Sequence, residues 1–446
     1  MDGLTAAQRR MIDAGVPQQA IDVFSHFYRQ LEAGATGMIA EADVEPLTGI
    51  DHAAHLDTDP EELRRAADQT VVIKLNGGLG TSMGMDRAKS LLPVAPGLSF
   101  LDVIAGQVKH VRRTHGVRLP LIFMNSFRTQ EDTLKALAVY PSLRTPGLPL
   151  YFLQNSEPKL RADDLTPVDW PDEPQLEWCP PGHGDLYTAL QTSGILDLLL
   201  DQGFRYATVS NSDNLGAAPD PGMMAWFAAS GAPYAAEVCR RTPADVKGGH
   251  LVVRRDDGRL VLRETAQTPA EDAAAAADLT RHRFFHTNNL WFDLRVLKDT
   301  LDARHGVLGL PLIRNVKTVD PTRPDSPEVI QIESAMGAAV EIFDGATAIE
   351  VDRTRFLPVK TTNDLMLLRS DVYEIGEDFQ VSAVVDPPLV DLDKRFFGTI
   401  ADFDDRVHHV PSLRAATSLT VRGDWTFGEE VALSGDVVLE GDALGA

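Results

Sequence analysis

A chain of 446 residues with 43% hydrophobic and 24% charged side chains has ordinary globular composition, and at this length about three quarters of the unfolded surface can be buried. Its 65 Asp+Glu against 42 Lys+Arg leave a net charge of −23, which excludes the broad basic face of a nucleic-acid or anionic-membrane binder. An anionic small substrate stays open, provided the site gathers its own lysines. Cys179 and Cys239 cannot build a disulfide framework, and no Cys-x-x-Cys pair offers a zinc site. The start of the chain, with Asp2, Arg9, Arg10 and Asp13, does not read as a secretory leader. No apolar run approaches the ~18 residues of a membrane span. A cytoplasmic location is expected.

Residues 4–33 carry apolar positions at helical spacing (Met11, Ile12, Ile21, Phe24, Phe27, Leu31), interrupted at Gly15-Val16-Pro17, and predict two helices. Thr58-Asp59-Pro60-Glu61-Glu62 reads as the start of another helix, leading to Ala67. From Val71 the texture changes. Short apolar runs at 71–73, 121–124, 151–153 and 207–209 alternate with helical stretches at 99–113 and 130–139, which predicts a mostly parallel sheet covered on both faces. Leu251-Val252-Val253 and Leu260-Val261-Leu262 read as a hairpin, and the low-complexity tract 271–278 as an exposed helix or loop. Near the C-terminus the period becomes six. Leu419, Trp425, Val431 and Val437 form one series and Val421, Phe427, Leu433 and Leu439 a second. Gly423, Gly435 and Gly441 fall on a third, with Glu429 in the gap. Such hexads point to a parallel β-helix, the alternative being a pair of alternating hairpin strands.

A glycine-rich turn, Asn76-Gly77-Gly78-Leu79-Gly80, follows directly on the Val71 run. Glycines there let bare backbone N–H groups approach a phosphate or a base. The phosphate-loop spacing before a lysine is absent, and the dinucleotide fingerprint fails because Gly84 comes one residue late after Gly78-x-Gly80. Gly80-Thr81-Ser82-Met83-Gly84 matches the G-x-S-x-G of a hydrolase elbow, but four residues intervene between strand and match, so Ser82 is not expected as a nucleophile. The window 71–94 holds Lys74, Arg87 and Lys89 against Asp86, and the window 351–363 holds Arg353, Arg355 and Lys360 against Asp352. Both are locally basic in an acidic chain. His282 and His286 are spaced i,i+4 without the Glu of a zinc helix, and are taken as structural. Cys179, before Pro180-Pro181, has no evident base.

Seven blocks in order then give a specific resemblance. They are Lys74 to Gly84, Met124 to Phe127 with Glu131 to Thr133, Pro180 to Asp185, Val209 to Gly216, Ala244 to Gly249, Thr287 to Trp291, and Arg355 to Thr362. In these the chain resembles the eukaryotic-type UTP–glucose-1-phosphate uridylyltransferases, also called UDP-glucose pyrophosphorylases. The resemblance implies a Rossmann-like α/β nucleotidyltransferase of the glycosyltransferase-A kind, its mixed sheet flanked by helices. It implies an N-terminal helical segment (1–65), a domain for nucleotide and sugar phosphate (66–375) and a short C-terminal left-handed β-helix (376–446). The implied reaction joins UTP and glucose 1-phosphate into UDP-glucose and pyrophosphate with Mg²⁺. By the same resemblance Leu75, Asn76, Gly77 and Gly78 hold the uridine nucleotide, and Gln154 and Gly182 read the uracil. Asp213, flanked by Asn211 and Ser212, binds the metal and triphosphate. His183, Glu264 and Asn289 line the sugar-phosphate pocket, and Lys89 and Lys360 contact the phosphates as the catalytic cations.

The chemistry agrees with that assignment. Nucleotidyl transfer by an already ionised sugar phosphate needs alignment, a hard cation and fixed ammonium groups, and no protein nucleophile. Departures from the family pattern are Thr265 after Glu264, Ser212 within Asn211-Ser212-Asp213, and a β-helix of only four hexads. The shortened tail leads to the expectation of a monomer or small homo-oligomer. Thr81-Ser82-Met83 lacks the Arg of the UDP-N-acetylglucosamine relatives, which favours glucose. A UDP-sugar pyrophosphorylase of other specificity and a non-catalytic nucleotide-sugar sensor remain as alternatives.

Overall fold

A computed structural model describes residues 2–34, 37–56, 59–242, 245 and 248–441. The two N-terminal helices form at Gly3–Asp13 and Gln18–Glu32, the first capped by the Asp2 side chain on the Thr5 N–H at 2.8 Å. Ala7, Met11, Ile21 and Phe24 turn inward and pack into an apolar cluster that also holds Leu160 and Ile330. A third helix, Pro60–Asp68, has Pro at its first position, and the Asp59 carboxylate accepts from Glu61 N and Glu62 N. Thr58 lies outside the described residues.

The Thr70–Asn76 strand is buried along its whole length. Because successive side chains point to opposite faces, Val72 enters the cluster beneath helix Phe100–His115, whereas Val71, Ile73 and Leu75 enter the cluster with Leu186 and Leu190. The sheet thus divides two cores. Its main path runs Asp51–His52, Thr347–Glu350, Tyr234–Arg240, Phe284–Asp293, Tyr206–Asn211, Thr70–Asn76, Leu121–Asn125, Tyr151–Leu153. Phe284–Asp293 runs antiparallel to both neighbours and the other pairings on this path are parallel, so the sheet is mixed. The expected hairpin forms, His250–Arg254 with Leu260–Arg263. Residues 1–65 are not only helical: Val44–Pro46 pairs with the hairpin and Asp51–His52 with Thr347–Glu350. Strands of two or three residues carry no readable alternation. The tract 271–278 takes the end of a 3₁₀ turn, Ala270–Asp272, and one α-helical turn, Ala273–Ala276.

Near the C-terminus, Leu389–Asp391, Ser412–Arg422 and Ala432–Glu440 form a three-stranded sheet in which both pairings are parallel, which excludes the hairpin alternative. Leu419 pairs with Val437 and Val421 with Leu439, eighteen positions apart and so three hexads. Leu419, Val421 and Phe427 belong to the cluster that holds Val72, so apolar packing runs without interruption across residues 375 and 376. Among the described residues no helix is long and apolar enough to cross a membrane.

Candidate active site

Four parallel strands end in one row: Asn211 pairs with Leu75, Asn76 with Asn125, and Asn125 with Leu153. Ligands in open α/β sheets bind beyond such carboxyl ends. Here a cavity of about 290 Å³ opens there. The glycine loop contributes Leu75, Gly77 and Gly78 to its wall, and the Tyr206–Asn211 strand and the turn after it contribute Asn211, Ser212 and Asp213. Met124, Gln154, Pro180, Gly182, His183 and Lys89 complete the wall on the remaining sides. A second cavity of about 750 Å³ shares Gly77, Gly78, Gln154 and Pro180 with the first.

Asp213 is the electrostatic centre. Its Oδ2 accepts from Lys89 Nζ at 2.8 Å and from Lys360 Nζ at 3.3 Å. Its Oδ1 is buried without a hydrogen-bond partner among the described residues. Leaving such an oxygen dry costs about 1–3 kcal/mol, so the position suits a ligand, a water or a cation. Among the described residues no three metal-ligating side chains cluster. A single carboxylate fits Mg²⁺, which keeps several waters and takes phosphate oxygens for the rest.

The cations are held by the backbone. Lys89 Nζ also donates to the Val359 carbonyl. Asn214 Oδ1 accepts from Leu357 N at 2.8 Å, Asn214 bridges Pro358, and Val359 N donates to Asp213 O at 3.2 Å. The segment carrying Lys360 is thereby fastened to the strand end carrying Asp213. Behind it, Glu237 is fully buried and accepts from Arg355 Nε and Nη2 at 2.8 Å each, from Trp291 Nε1 at 3.0 Å and from Asn289 Nδ2 at 3.1 Å. Burial works to raise its pKa, and the Arg355 guanidinium together with the Asn289 and Trp291 hydrogen bonds outweighs it and holds the carboxyl below the ordinary range.

The two basic windows resolve into one useful cation each. Lys74 is buried, donating to Ser210 Oγ at 2.7 Å and Ala217 O at 2.8 Å, and burial with the nearby Arg355 pulls it down to about 7. Arg87 is exposed beside Asp86, Arg353 pairs with Asp245, and Arg355 with Glu237. Strand alternation, which linear charge counting ignores, turns Lys74 away from the ligand side.

His183 Nδ1 accepts from Met336 N at 2.9 Å, which leaves Nε2 to carry the proton. Burial and the Lys360 charge pull its pKa down to about 4. Asn76, Glu264, Asn289 and Lys360 stand outside the cavity wall, Lys360 meeting it only through its ion pair with Asp213. Asn76 is a strut whose amide donates to Asn125 Oδ1 and Thr133 Oγ1, both at 2.9 Å, and accepts from Ser212 Oγ at 3.1 Å. Asn289 spends its amide on Glu237, the Arg355 carbonyl and Asn214. Glu264 follows strand Leu260–Arg263 and lies against Gly249, where burial raises its pKa. Of the Ala244 to Gly249 block, residues 244, 246 and 247 lie outside the described residues. Ser82 is exposed in a single 3₁₀ turn, Cys179 is buried with its thiol pushed well up, and His282 Nε2 lies 2.9 Å from Glu41 Oε1.

Sequence reasoning gave no role to Asn214, Glu237 or Asp185. The signal for Glu237 is a lone carboxylate inside the apolar run Ala235 to Cys239, which must find a buried partner. Asp185 is 5% exposed and accepts from Asn155 N at 2.6 Å and Asn155 Nδ2 at 2.8 Å.

Comparison with known proteins identifies the family. The sequence profile of the family described as UTP–glucose-1-phosphate uridylyltransferase matches residues 21–434. The enzyme of that name from Pyrus pyrifolia is 38% identical over 401 residues, covering 89% of this chain and 82% of its own. A probable one from Schizosaccharomyces pombe is 37% identical over 427 residues, covering 93% and 82%. Among solved structures, a UDP-glucose pyrophosphorylase variant from Leishmania major in complex with UDP-glucose superposes with TM-score 0.90 at 40% identity, over 98% of this chain and 94% of that one. The chain belongs to the UTP–glucose-1-phosphate uridylyltransferase family and is a nucleotidyltransferase enzyme of that kind.

Proposed function

We propose that the chain transfers the uridylyl group of UTP to glucose 1-phosphate, releasing pyrophosphate, by direct in-line displacement with Mg²⁺. The observation that carries this reading is Asp213, with one orphaned oxygen and two ammonium groups, at the strand ends beside a glycine loop. The sugar-phosphate oxygen forms the new bond to the α-phosphorus as the bond to the β-phosphate oxygen breaks, and pyrophosphate leaves with that electron pair. The nucleophile is already ionised, so no protein base is required. Asp213 would hold the metal, and Mg²⁺ there would supply a hard cation to neutralise triphosphate charge. Lys89 and Lys360 place fixed positive charge where negative charge develops. The Leu75–Gly78 backbone carries the uridine, Gln154 and Gly182 read the uracil, and the Nε2–H of His183 donates toward the sugar phosphate. Glu264 contributes to the sugar side from behind Gly249, and Asn289 supports that side through Glu237.

The finer fold reading belongs with this one. The sheet is of the Rossmann-like, glycosyltransferase-A kind, and the tail coils as a left-handed β-helix of three hexads per turn. The enzyme works in the cytoplasm as a monomer or small homo-oligomer.

The test is pyrophosphate release from UTP and Mg²⁺ with glucose, galactose or N-acetylglucosamine 1-phosphate, each with and without EDTA. EDTA-sensitive release with glucose 1-phosphate alone is expected. Preference for another sugar moves the substrate and keeps the chemistry. UTP binding without release for any sugar overturns the catalytic reading in favour of a nucleotide-sugar sensor.

A further inference from the structure

Two separate pieces of chain bring the proposed base-reading groups to the cavity: Gln154, after strand Tyr151–Leu153, and the turn Gly182-His183-Gly184-Asp185. Each is fastened to its own support. Gln154 N donates to Asn125 O at 2.9 Å. The turn is clamped by the segment 334–336: Ser334 N donates to Pro181 O at 3.0 Å, Gly184 N to Ser334 O at 2.8 Å, and Met336 N to His183 Nδ1 at 2.9 Å. A Cβ on Gly182 would sit 2.8 Å from Ser334 O and one on Gly184 2.3 Å from Ser334 Oγ, so the approach is close enough to require glycine. Across the gap between the two pieces, the Asp185 carboxylate takes both the backbone N–H and the side-chain amide of Asn155, the residue next to Gln154.

We infer that Asp185 is a positioning residue for base selection, fixing the spacing between the Gln154 side chain and the Gly182 backbone and so setting the preference for a uracil nucleotide. This rests on the proposed nucleotide reading of the cavity. The physical argument is one of polarity. A glutamine amide turns over at little cost and offers either a donor or an acceptor. The Gly182 N–H makes no hydrogen bond to any described residue, and a backbone donor cannot reverse its sense. Opposite such a donor, the O4 of uracil is accepted and the amino group of cytosine is not. That discrimination operates only while Gln154 and Gly182 are held at a fixed distance, because a site built to hydrogen-bond one edge rejects the other by leaving groups unpaired. Asp185 holds that distance with two bonds to buried or half-buried donors. Its role does not touch Asp213 or the two lysines, so it separates recognition from turnover.

The test uses the full chain, with UTP and CTP affinities by calorimetry alongside steady-state rates at saturating glucose 1-phosphate. Asp185→Ala removes both acceptors. Burial pushes the Asp185 carboxyl up to about 7, so its two bonds count as ordinary hydrogen bonds of about 0.5–1.5 kcal/mol each, and losing both predicts a rise of about 5–100-fold in the UTP dissociation constant. The UTP-over-CTP preference falls with it, while kcat at saturating UTP and KM for glucose 1-phosphate stay within about 3-fold. Asp185→Asn keeps an acceptor for Asn155 N and meets the Asn155 amide once that amide turns, so UTP affinity within about 3-fold of wild type is expected. Asn155→Ala, at a half-buried position with no core to disturb, gives an intermediate loss. An unchanged UTP-to-CTP ratio in both Asp185→Ala and Asn155→Ala overturns the inference. So does a parallel loss in kcat and in both substrates, which marks a structural role only. A wild-type chain that binds UTP without turning it over sinks the proposed reaction alone, since the affinities still test the positioning role.

Discussion

Removing the Lys360 ammonium probes how the site divides work between two lysines. Lys360 Nζ is 3.3 Å from Asp213 Oδ2 with its side chain 58% exposed, whereas Lys89 is 2.8 Å away and 12% exposed. Lys89 is anchored a second time by the Val359 carbonyl, while Lys360 Nζ makes no other hydrogen bond among the described residues and is free to follow a moving phosphate. A unit charge about 4 Å from charge developing on phosphate is worth about 4 kcal/mol at an effective dielectric of about 20. Deletions of one preorganised donor cost about 2.7–4 kcal/mol, or 10²–10³ in kcat. Partial exposure to solvent places Lys360→Ala at the lower end, about 100-fold. The ground state loses little, because an exposed ion pair is worth about 1 kcal/mol or less, so the melting temperature stays within about 2 °C. Initial rates of pyrophosphate release over a UTP titration, beside a thermal melt, make the measurement. A raised KM with unchanged kcat would refute the reasoning, since that pattern marks uniform binding rather than charge stabilisation in transit.

Glu237→Ala strands the Arg355 guanidinium, the Trp291 indole N–H and the Asn289 amide in the interior. A loss of about 3–5 kcal/mol in denaturant unfolding is expected, and a loss below about 1 kcal/mol would count against the network. Gly78→Ala and Gly182→Ala should behave differently. A Cβ on Gly78 meets nothing within 4 Å, so stability is kept while UTP affinity falls because the cavity wall has grown. Gly182 sits at φ 77° against Ser334 O, and its alanine variant should also lose about 1–3 kcal/mol of stability. Equal melting temperatures for the two variants would contradict this. His183, with its pKa pulled down to about 4 by burial, stays neutral through the physiological range. Because its folded pKa lies below the ordinary histidine value of 6.5, it withdraws stability as pH falls from 6.5 toward 4 and contributes no limb near 6.5 to glucose 1-phosphate binding. A limb near 6.5 present in wild type and absent in His183→Gln would show the opposite.

The apolar runs and the glycine turn were readable because a doubly covered strand leaves a continuous hydrophobic signature and a turn needing bare backbone leaves glycines. The antiparallel course of Phe284–Asp293 was not, since strand direction depends on where the chain returns and not on composition. Charge counting identified the neighbourhoods of Lys89 and Lys360 yet failed for Lys74, Arg353 and Arg355, each turned to a partner distant in sequence. Asn289 illustrates the same limit. Its block is recognisable in the sequence, but its mid-strand burial and the commitment of its amide to Glu237 depend on two strands meeting. Asp185 lay inside a recognised block and still carried no visible role, because its partner Asn155 is thirty positions away and unremarkable in sequence.

The pairing of Leu419 with Val437 and of Val421 with Leu439 has a consequence for how this tail changes length. An insertion of eighteen residues lays a new rung beneath the old one with every inward side chain still inward. Any other length moves each following strand out of line with its neighbour or forces a bulge to absorb the difference. Along residues 418–422, where the offset to the next strand is a constant eighteen, growth or loss is therefore quantised; the offsets of 19 and 20 nearer Ser412 and of 29 to Leu389–Asp391 are taken up by bulges and by the bends between strands.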